Sequence, residues 1–394
     1  MKFLNTKTLM AGVALSVGVW IGCAPVEFSK DENFIRCQNF TEDCKKINDR
    51  DYFDYNFSIT GGLVDILFVN DNSASMSEEQ RHMAERFGSF LDQVKILDYR
   101  IGMITTDVSA SPNNPPREIN KSGLLQDGNL IEFAAGIKYL VPQTPDKEIL
   151  FANTIKRPET LQCEQWLLAN YNSNTDRTKP EYTSPYLANC PSMDERGIYA
   201  TNMLVTKNSD GFLRPNAHFA VIMISDEDER SQGENAEKMG TTFALDNMDR
   251  PQSLIDKVKQ NFNNEKTLSA HSIIIKPGDT SCREKQNAQM AGRVNGFEGK
   301  LLADLAALTN GLAVKPSSNY DARESQGIIG DICANDYGAQ LGEIGSTIVN
   351  KIREVPLACE TPANLKVTLT PNKKNISYTQ VGAKLIFSDT LPMG

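Results

Sequence analysis

Three small oxygen-bearing side chains follow an apolar stretch of the chain at regular spacing. The segment Asp71-Asn72-Ser73-Ala74-Ser75 presents one carboxylate and two hydroxyls, each two residues from the next. Carboxylate and hydroxyl oxygens, without thiolate or imidazole, are the ligands that suit a hard cation such as Mg²⁺, Ca²⁺ or Mn²⁺. The spacing therefore predicts a cation site formed by Asp71, Ser73 and Ser75, with water or an external group completing the coordination sphere.

A second acidic segment follows another apolar stretch. Asp226-Glu227-Asp228-Glu229 comes directly after the run from His218 to Ser225 (HFAVIMIS). Because parallel strands end at the same edge of a sheet, we expect Asp226 to lie beside Asp71. Their repulsion would cost on the order of a few kcal/mol unless a cation neutralises it, so Asp226 is predicted as a further ligand. Glu227 and Glu229 are interpreted as solvated side chains of this loop.

These segments require a sheet that holds them together. The run from Leu63 to Asn70 (LVDILFVN) is nearly all apolar, which is typical of a parallel strand covered on both faces. The alternation of such runs with helical stripes predicts an α/β, doubly wound, mostly parallel sheet over residues 61–355. The predicted strands are Leu63–Asn70, Arg100–Thr105, His218–Ser225, Leu268–Lys276 and Gly311–Val314. One predicted helix begins near Ser77, and the other three cover Gln252–Phe262, Leu301–Leu308 and Tyr337–Ile352.

Two regions fall outside this alternation. Residues 107–190 are rich in Pro, Asn and Thr and are too long for an ordinary loop, so they are predicted to be an insertion with its own packing or function. Residues 356–394 contain the strand-like segments Leu365–Leu369 and Lys384–Phe387, separated by turn signals, and are predicted to form a small C-terminal β segment.

The N-terminus carries the features of an export signal. Two lysines precede an apolar run from Leu9 to Gly22 that is short for a membrane span, so residues 1–22 are predicted to be a signal peptide. Gly22-Cys23 resembles a bacterial lipobox, which implies lipidation of Cys23. Residues 23–60 are then a lipidated tether, and the protein is expected at the cell envelope, by analogy at the outer membrane. Cleavage after Ala24 is the alternative and would give a periplasmic or secreted protein.

The eight cysteines fit an oxidising compartment. We predict disulfides between Cys163 and Cys190 and between Cys282 and Cys333, which leaves Cys37, Cys44 and Cys359 to compete. Trp166 and Tyr171, close to Cys163, are interpreted as a small core of the insertion or as an exposed contact surface.

The D-x-S-x-S segment after a V-D-I-L-F-V strand, joined to a second strand that ends in Asp226, resembles the von Willebrand factor type A domain and its metal-ion-dependent adhesion site. The resemblance covers residues 61–355 and implies that Asp71, Ser73 and Ser75 hold the ion together with Asp226. The long insertion is also similar to that of some exported bacterial members of the family.

The family's remaining metal ligand is usually a threonine on a loop that opens a helix. The corresponding segment here, residues 192–198, contains no threonine. Asp194, and next to it Glu195, are therefore the candidate substitutes. Thr105 and Thr106, at the end of a predicted strand, are alternatives.

Charge and missing motifs exclude several functions. The net charge of −9, which becomes −11 without the signal peptide's two lysines, argues against a nucleic-acid partner. Three scattered histidines, with His82 and His218 expected at the solvent edge and His271 packed in a strand, provide no zinc-protease motif. Serine-hydrolase and P-loop motifs are absent as well, so we do not expect an enzyme.

The resulting functional hypothesis is an adhesion-type protein-binding module at the envelope. Its divalent cation would bind an Asp or Glu of a protein partner, and the membrane would be contacted through the lipid anchor. One alternative is a structural envelope lipoprotein with a stabilising ion. The other is a metal-assisted hydrolase with Asp194, Glu195 or Glu227 as the base.

Overall fold

The structure is a computed structural model of the 394-residue chain. Several expectations lie outside the residues that it describes: the signal peptide, Cys23, Cys37, Cys359, the strand Gly311–Val314 and nearly all of Leu365–Leu369. Within the described part of the chain, no helix is long and apolar enough to cross a membrane. The structure describes residues 44–47, 50–53, 62–108, 127–172, 175, 179–192, 194–234, 244–263, 266–289, 295–309, 328–356, 367, 377–381 and 384–388.

A hairpin of β1 (Cys44–Ile47) and β2 (Arg50–Phe53) precedes a five-stranded sheet. The order of this sheet is β4-β3-β5-β6-β7, and all of its neighbours are parallel. The predicted strands over Leu63–Asn70 and His218–Ser225 have the bounds of β3 and β5. The sheet strands are β3 (Leu63–Asn70), β4 (Asp98–Thr105), β5 (His218–Ser225), β6 (Leu268–Ile274) and β7 (Ile329–Asp331).

Helices cover both faces of the sheet, and two 3-10 turns at Ala74–Met76 and Asn247–Asp249 precede helices. The α/β fold with a parallel sheet is thus confirmed. The described helices are α1 (Ser77–Val94), α2 (Lys147–Ile155), α3 (Pro158–Asn170), α4 (Pro180–Asn189), α5 (Gly197–Lys207), α6 (Pro251–Asn261), α7 (Thr280–Ala288), α8 (Lys300–Thr309) and α9 (Tyr337–Arg353).

The residues of β3 alternate between two apolar cores. Ile66 and Phe68 pack with the buried stripes of α1 and α9 on one face of the sheet. Leu67 and Val69 pack with α5, α6 and α8 on the other face. Each fully buried side chain of this kind stabilises the fold by about 1.5–3 kcal/mol, which explains why the strand is apolar at nearly every position.

One charged residue interrupts the apolar pattern of β3. Asp65 is fully buried and accepts from Lys266 Nζ at 2.9 Å and from Arg214 Nε at 2.8 Å. Arg214 also pairs with Asp98, whose side chain is 64% exposed. The buried carboxylate is therefore compensated by two cations far from the sheet edge where β3 ends.

The described helices of the insertion between β4 and α5 pack in two different places. Phe151 of α2 stacks on Phe87 of α1 with ring centroids 3.5 Å apart, so α2 belongs to the main core. Helices α3 and α4 form a separate buried cluster around the Cys163–Cys190 disulfide, against which Trp166 and Tyr171 pack. The predicted Cys163–Cys190 disulfide is confirmed. Of the two interpretations of Trp166 and Tyr171, the structure agrees with the small core.

The C-terminal strands form a separate antiparallel sheet. Its order is β8-β10-β9, with β8 (Glu354–Pro356), β9 (Tyr378–Val381) and β10 (Lys384–Phe387). The strand predicted over Lys384–Phe387 is β10, whereas β9 was not predicted.

The edge where β3 ends is a point at which the chain reverses its direction across the sheet. β3 lies between β4 and β5: α1, on one face of the sheet, connects β3 to β4, and α5, on the other face, follows the insertion after β4 and leads to β5. The carboxyl ends of strands that separate in this way leave a crevice, which is where α/β proteins bind ligands.

Candidate metal centre

The structure brings Asp71, Ser73, Ser75 and Asp226 together at this edge. The Ser73 amide donates to Asp71 Oδ1 at 2.8 Å, and the hydroxyl oxygens of Ser73 and Ser75 lie 3.1 Å apart. Ser75 Oγ then donates to Asp226 Oδ1 at 3.1 Å. The segment after β3 and Asp226, the first residue after β5, therefore form one connected group of oxygens. The Asp71 amide also donates to Ile224 O of β5 at 3.0 Å, which joins the two segments through the backbone.

The two aspartates of this group are fully buried. Asp226 Oδ2 has no hydrogen-bond partner among the described residues. Burial raises the pKa of Asp226 well above its usual range, and the charges of Asp71 and Glu79 raise it further. Burial also raises the pKa of Asp71, although a hydrogen bond from Ser225 Oγ at 2.5 Å opposes the change. Among the described residues no Lys or Arg pairs with either carboxyl group, so the charged forms of both are destabilised.

Two glutamates extend this acidic group. Glu195 is buried, and burial together with the charge of Asp71 raises its pKa to about 7. Its carboxylate accepts a short hydrogen bond from Ser231 Oγ. Glu227 is half-buried, and burial followed by the charge of Glu195 raises its pKa well above the usual range. Glu195 is therefore electrostatically linked to the site, and Glu227 is not the fully solvated side chain that we expected.

Asp194 lies in a different environment from the one proposed for it. Its two carboxylate oxygens accept from Arg230 Nε at 3.0 Å and Nη2 at 2.8 Å, and both residues are buried. This two-point ion pair fixes the carboxylate toward the loop that contains Arg230. Both oxygens of Asp194 are thus engaged by Arg230 in this structure, so the proposal below uses Glu195, the other candidate, as the acidic neighbour of the site.

The alternative threonines are both buried at the end of β4. Thr105 Oγ1 accepts from the Asp107 amide at 3.3 Å, and the Thr106 carbonyl accepts from the Arg196 amide at 3.0 Å. These contacts join the end of β4 to Asp107 and to Arg196. Neither threonine hydroxyl is hydrogen-bonded to Asp71, Ser73, Ser75 or Asp226.

The rest of the acidic run caps helices. Glu229 accepts from the amides of Ile198 and Tyr199 at 2.8 and 2.9 Å, in the first turn of α5. Asp228 accepts from the Leu301 amide at 3.0 Å, in the first turn of α8, and burial raises its pKa to about 7. The expectation that Glu229 faces water was wrong, because free amides at a helix start attract a carboxylate.

The histidines lie away from this site. His218 is buried, not at the solvent edge as expected, because the hydroxyls of Thr267 and Ser269 each contact one ring nitrogen at 2.8 Å. His271 is buried within β6, as predicted. Burial lowers the pKa of each ring to about 3, so both are neutral at physiological pH.

A second group of metal-binding residue types lies at the end of β7. The ligand atoms of Cys282, Asp331 and Cys333 are within 4.8 Å of one another. The two sulfurs, however, form the predicted Cys282–Cys333 disulfide, which is confirmed. Because a disulfide provides no thiolate, this group offers a metal one carboxylate only.

The sequence did not predict two sets of contacts to the site. Ser225, the last residue of β5, bonds Asp71, and its position directly before Asp226 was the available signal. Residues of α3 bond the segment after β3 from nearly 90 positions away in the sequence, for example Thr160 to Asn72. No local pattern reports a contact of that separation.

Comparisons with known families and with curated proteins identify no relative. No family model matches the chain, and no curated protein matches it. Among solved structures, proximal thread matrix protein 1 from the mussel byssus aligns at 11% identity with a TM-score of 0.34, over 76% of this chain and 51% of that protein. The chain thus spans about half the length of that protein, and a TM-score this low carries no argument about function.

Proposed function

We propose that this chain is a divalent-cation-dependent protein-binding module of the von Willebrand factor A type. Its cation would be Mg²⁺, Ca²⁺ or Mn²⁺, and its ligand an Asp or Glu of a protein partner. The module would be exported and held at the bacterial envelope by a lipid on Cys23. It would act by ligand exchange and not as an enzyme.

The observation that carries this proposal is the unpartnered oxygen of Asp226. A buried carboxylate oxygen without a hydrogen bond lowers stability, and the nearby carboxylate of Asp71 adds charge repulsion when both groups are ionised. A divalent cation would offset both the missing hydrogen bond and the repulsion. The neighbouring donors are hydroxyl and carboxylate oxygens, which is the set that a hard cation prefers.

The residues that would hold the cation are Asp71, Ser73, Ser75 and Asp226, with Glu195 as a further acidic neighbour. When bound, the cation would supply a positively charged centre with a coordination position for an external carboxylate. Without it, the same residues would repel an acidic partner. The protein therefore gains a binding preference that depends on the cation.

The first experiment measures Mn²⁺ binding by calorimetry and by the electron paramagnetic resonance of free Mn²⁺. Ser75→Ala should weaken binding strongly, and Asp71→Ala should abolish it. Ser272→Ala is the matched control, since the Ser272 hydroxyl is buried in β6 and has no hydrogen-bond partner among the described residues. If the wild-type protein bound no Mn²⁺, the metal site would be refuted.

The second experiment tests recognition with an array of immobilised Asp-containing peptides and otherwise identical Asn-containing peptides. Binding in Mg²⁺ should favour the Asp peptides and should be lost in EDTA. If Mn²⁺ bound and raised the melting temperature while no Asp peptide was preferred, the result would support a structural ion instead.

A further inference from the structure

The segment Asp71–Ser75, which we call the cation loop, is held through its backbone by side chains from outside it. Thr160 Oγ1 of α3 donates to the Asn72 carbonyl at 2.7 Å. Gln80 Nε2 of α1 donates to the Asp71 carbonyl at 2.9 Å and to Thr160 Oγ1 at 3.1 Å. The two carbonyls at the start of the loop are therefore fixed by one buried contact network.

The side chain of Asn72 is held in the same way. Its Nδ2 atom donates to Glu159 Oε1 at 3.2 Å and to Asp107 Oδ2 at 3.3 Å. Glu159 is itself paired with Arg157 at 2.8 Å, and Asp107 Oδ1 accepts from the Ser192 amide at 2.9 Å. Asn72 thus connects α3 on one side with the residues just after α4 on the other.

The Cys163–Cys190 disulfide closes these contacts into a ring. Cys163 follows Thr160 by three residues on α3, and Cys190 precedes Ser192 by two. The ring runs from Asn72 through α3 and the disulfide to Ser192, and returns to Asn72 through Asp107. Ala74 of the loop packs into the same buried cluster as both cysteines.

We propose that Thr160 is a positioning residue for the cation loop and that the Cys163–Cys190 disulfide maintains this position. The inference rests on the proposed function, because it assigns the insertion the task of ordering the loop that would hold the cation. Sites that bind metals tightly depend on outer contacts that orient their ligands. A loop with free carbonyls would have to become ordered at the moment of binding, which reduces affinity.

The first test compares Thr160→Val with Thr154→Val. Both are buried threonines of the insertion, but the Thr154 hydroxyl donates to Leu150 within α2 and does not touch the loop. With Mn²⁺ as the probe, Thr160→Val should raise Kd about tenfold through two lost hydrogen bonds, and Thr154→Val less than about twofold. Thr160→Ser, which restores the hydroxyl, should return Kd to near the wild-type value.

The second test compares two variants that each lack one disulfide. Cys163→Ser/Cys190→Ser should weaken Mn²⁺ binding and speed hydrogen exchange at the amides of residues 71–75. Cys282→Ser/Cys333→Ser removes the disulfide that lies outside the ring and should change neither measurement. Melting curves identify any variant that is unfolded, and the Thr160 variants then carry the test.

The outcomes separate the two proposals. Wild-type protein that binds Mn²⁺, with Thr160→Val equal to it, would overturn the positioning role and leave the metal site standing. Equal weakening by Thr160→Val and Thr154→Val would also overturn it, because the effect would then be general destabilisation. Wild-type protein that binds no Mn²⁺ would overturn both proposals.

Discussion

Replacing Glu195 by Gln should stabilise the protein in the absence of divalent cations. Burial and the charge of Asp71 raise the pKa of Glu195 from an ordinary 4.5 to about 7. The folded state therefore favours the protonated form. The stability that this group contributes is fully present below about pH 4.5 and is lost as the pH rises through 7.

The size of the effect follows from the shift in pKa. A change from 4.5 to about 7, at 1.36 kcal/mol per pKa unit, corresponds to about 3 kcal/mol. Because Gln carries no charge at any pH, Glu195→Gln should avoid this loss. The variant should match the wild type near pH 4.5 and exceed its free energy of unfolding by up to about 3 kcal/mol at pH 8.

The measurement is urea unfolding in EDTA at pH values from 4.5 to 8.5, repeated with Mg²⁺. Bound Mg²⁺ would compensate the negative charge in the wild-type site, so the difference between the two proteins should shrink. Glu159→Gln is the control: Glu159 is also buried but is paired with Arg157, so this substitution should destabilise the protein instead of stabilising it.

A wild-type protein as stable as Glu195→Gln at pH 8 in EDTA would refute the reasoning. It would mean that the carboxylate of Glu195 is balanced by a group other than an added cation. A stabilising effect of equal size at pH 4.5 would refute it too, since Glu195 is neutral there in the folded state.

Three further predictions concern stability. The ring of His218 has a pKa of about 3 against an ordinary 6.5, so the stability that the neutral ring contributes is present above pH 6.5 and is lost as the pH falls from 6.5 toward 3. Between pH 6.5 and 5, urea titrations should show the wild type losing about 2 kcal/mol more than His218→Asn. Asp65→Ala should cost about 3–5 kcal/mol because it leaves a buried lysine uncompensated, and Asp98→Ala, at the exposed end of the same network, less than about 1 kcal/mol by the same assay. Gly128 and Gly136 both have positive φ, but a Cβ at Gly128 would lie 2.3 Å from a backbone oxygen and one at Gly136 would meet open space. Calorimetric melting should therefore show that Gly128→Ala lowers the free energy of unfolding by about 3 kcal/mol and Gly136→Ala by about 1 kcal/mol.

The sheet was predictable because burial on both faces leaves a simple pattern. The apolar runs placed β3 and β5 at their observed bounds, and the start of β6 and the beginning of α9 at Leu268 and Tyr337 were also predicted. The three described helices of the insertion were not predicted, because α2, α3 and α4 present short and mixed faces to two different cores.

The part of the candidate site that is placed by the ends of the strands was also predictable. Residues that directly follow strands, Asp71 and Asp226, could be paired because parallel strands end at one edge. Asp194 could not be assigned from its position, since its partner Arg230 reaches it through a loop whose path depends on the whole fold. Glu229 looked like a solvated residue because its two partners are backbone amides, which leave no trace in a sequence.

The loop after β5 affects how mutations near the site must be interpreted. Within four consecutive positions, Asp226 belongs to the oxygen group, Asp228 holds the start of α8 and Glu229 holds the start of α5. An alanine scan would therefore find losses of binding at all three, though for different reasons. Asp226→Ala would remove a proposed cation ligand, whereas Asp228→Ala and Glu229→Ala would remove the carboxylates that hold the first turns of α8 and α5. Melting measurements recorded beside the binding data distinguish the two classes of defect.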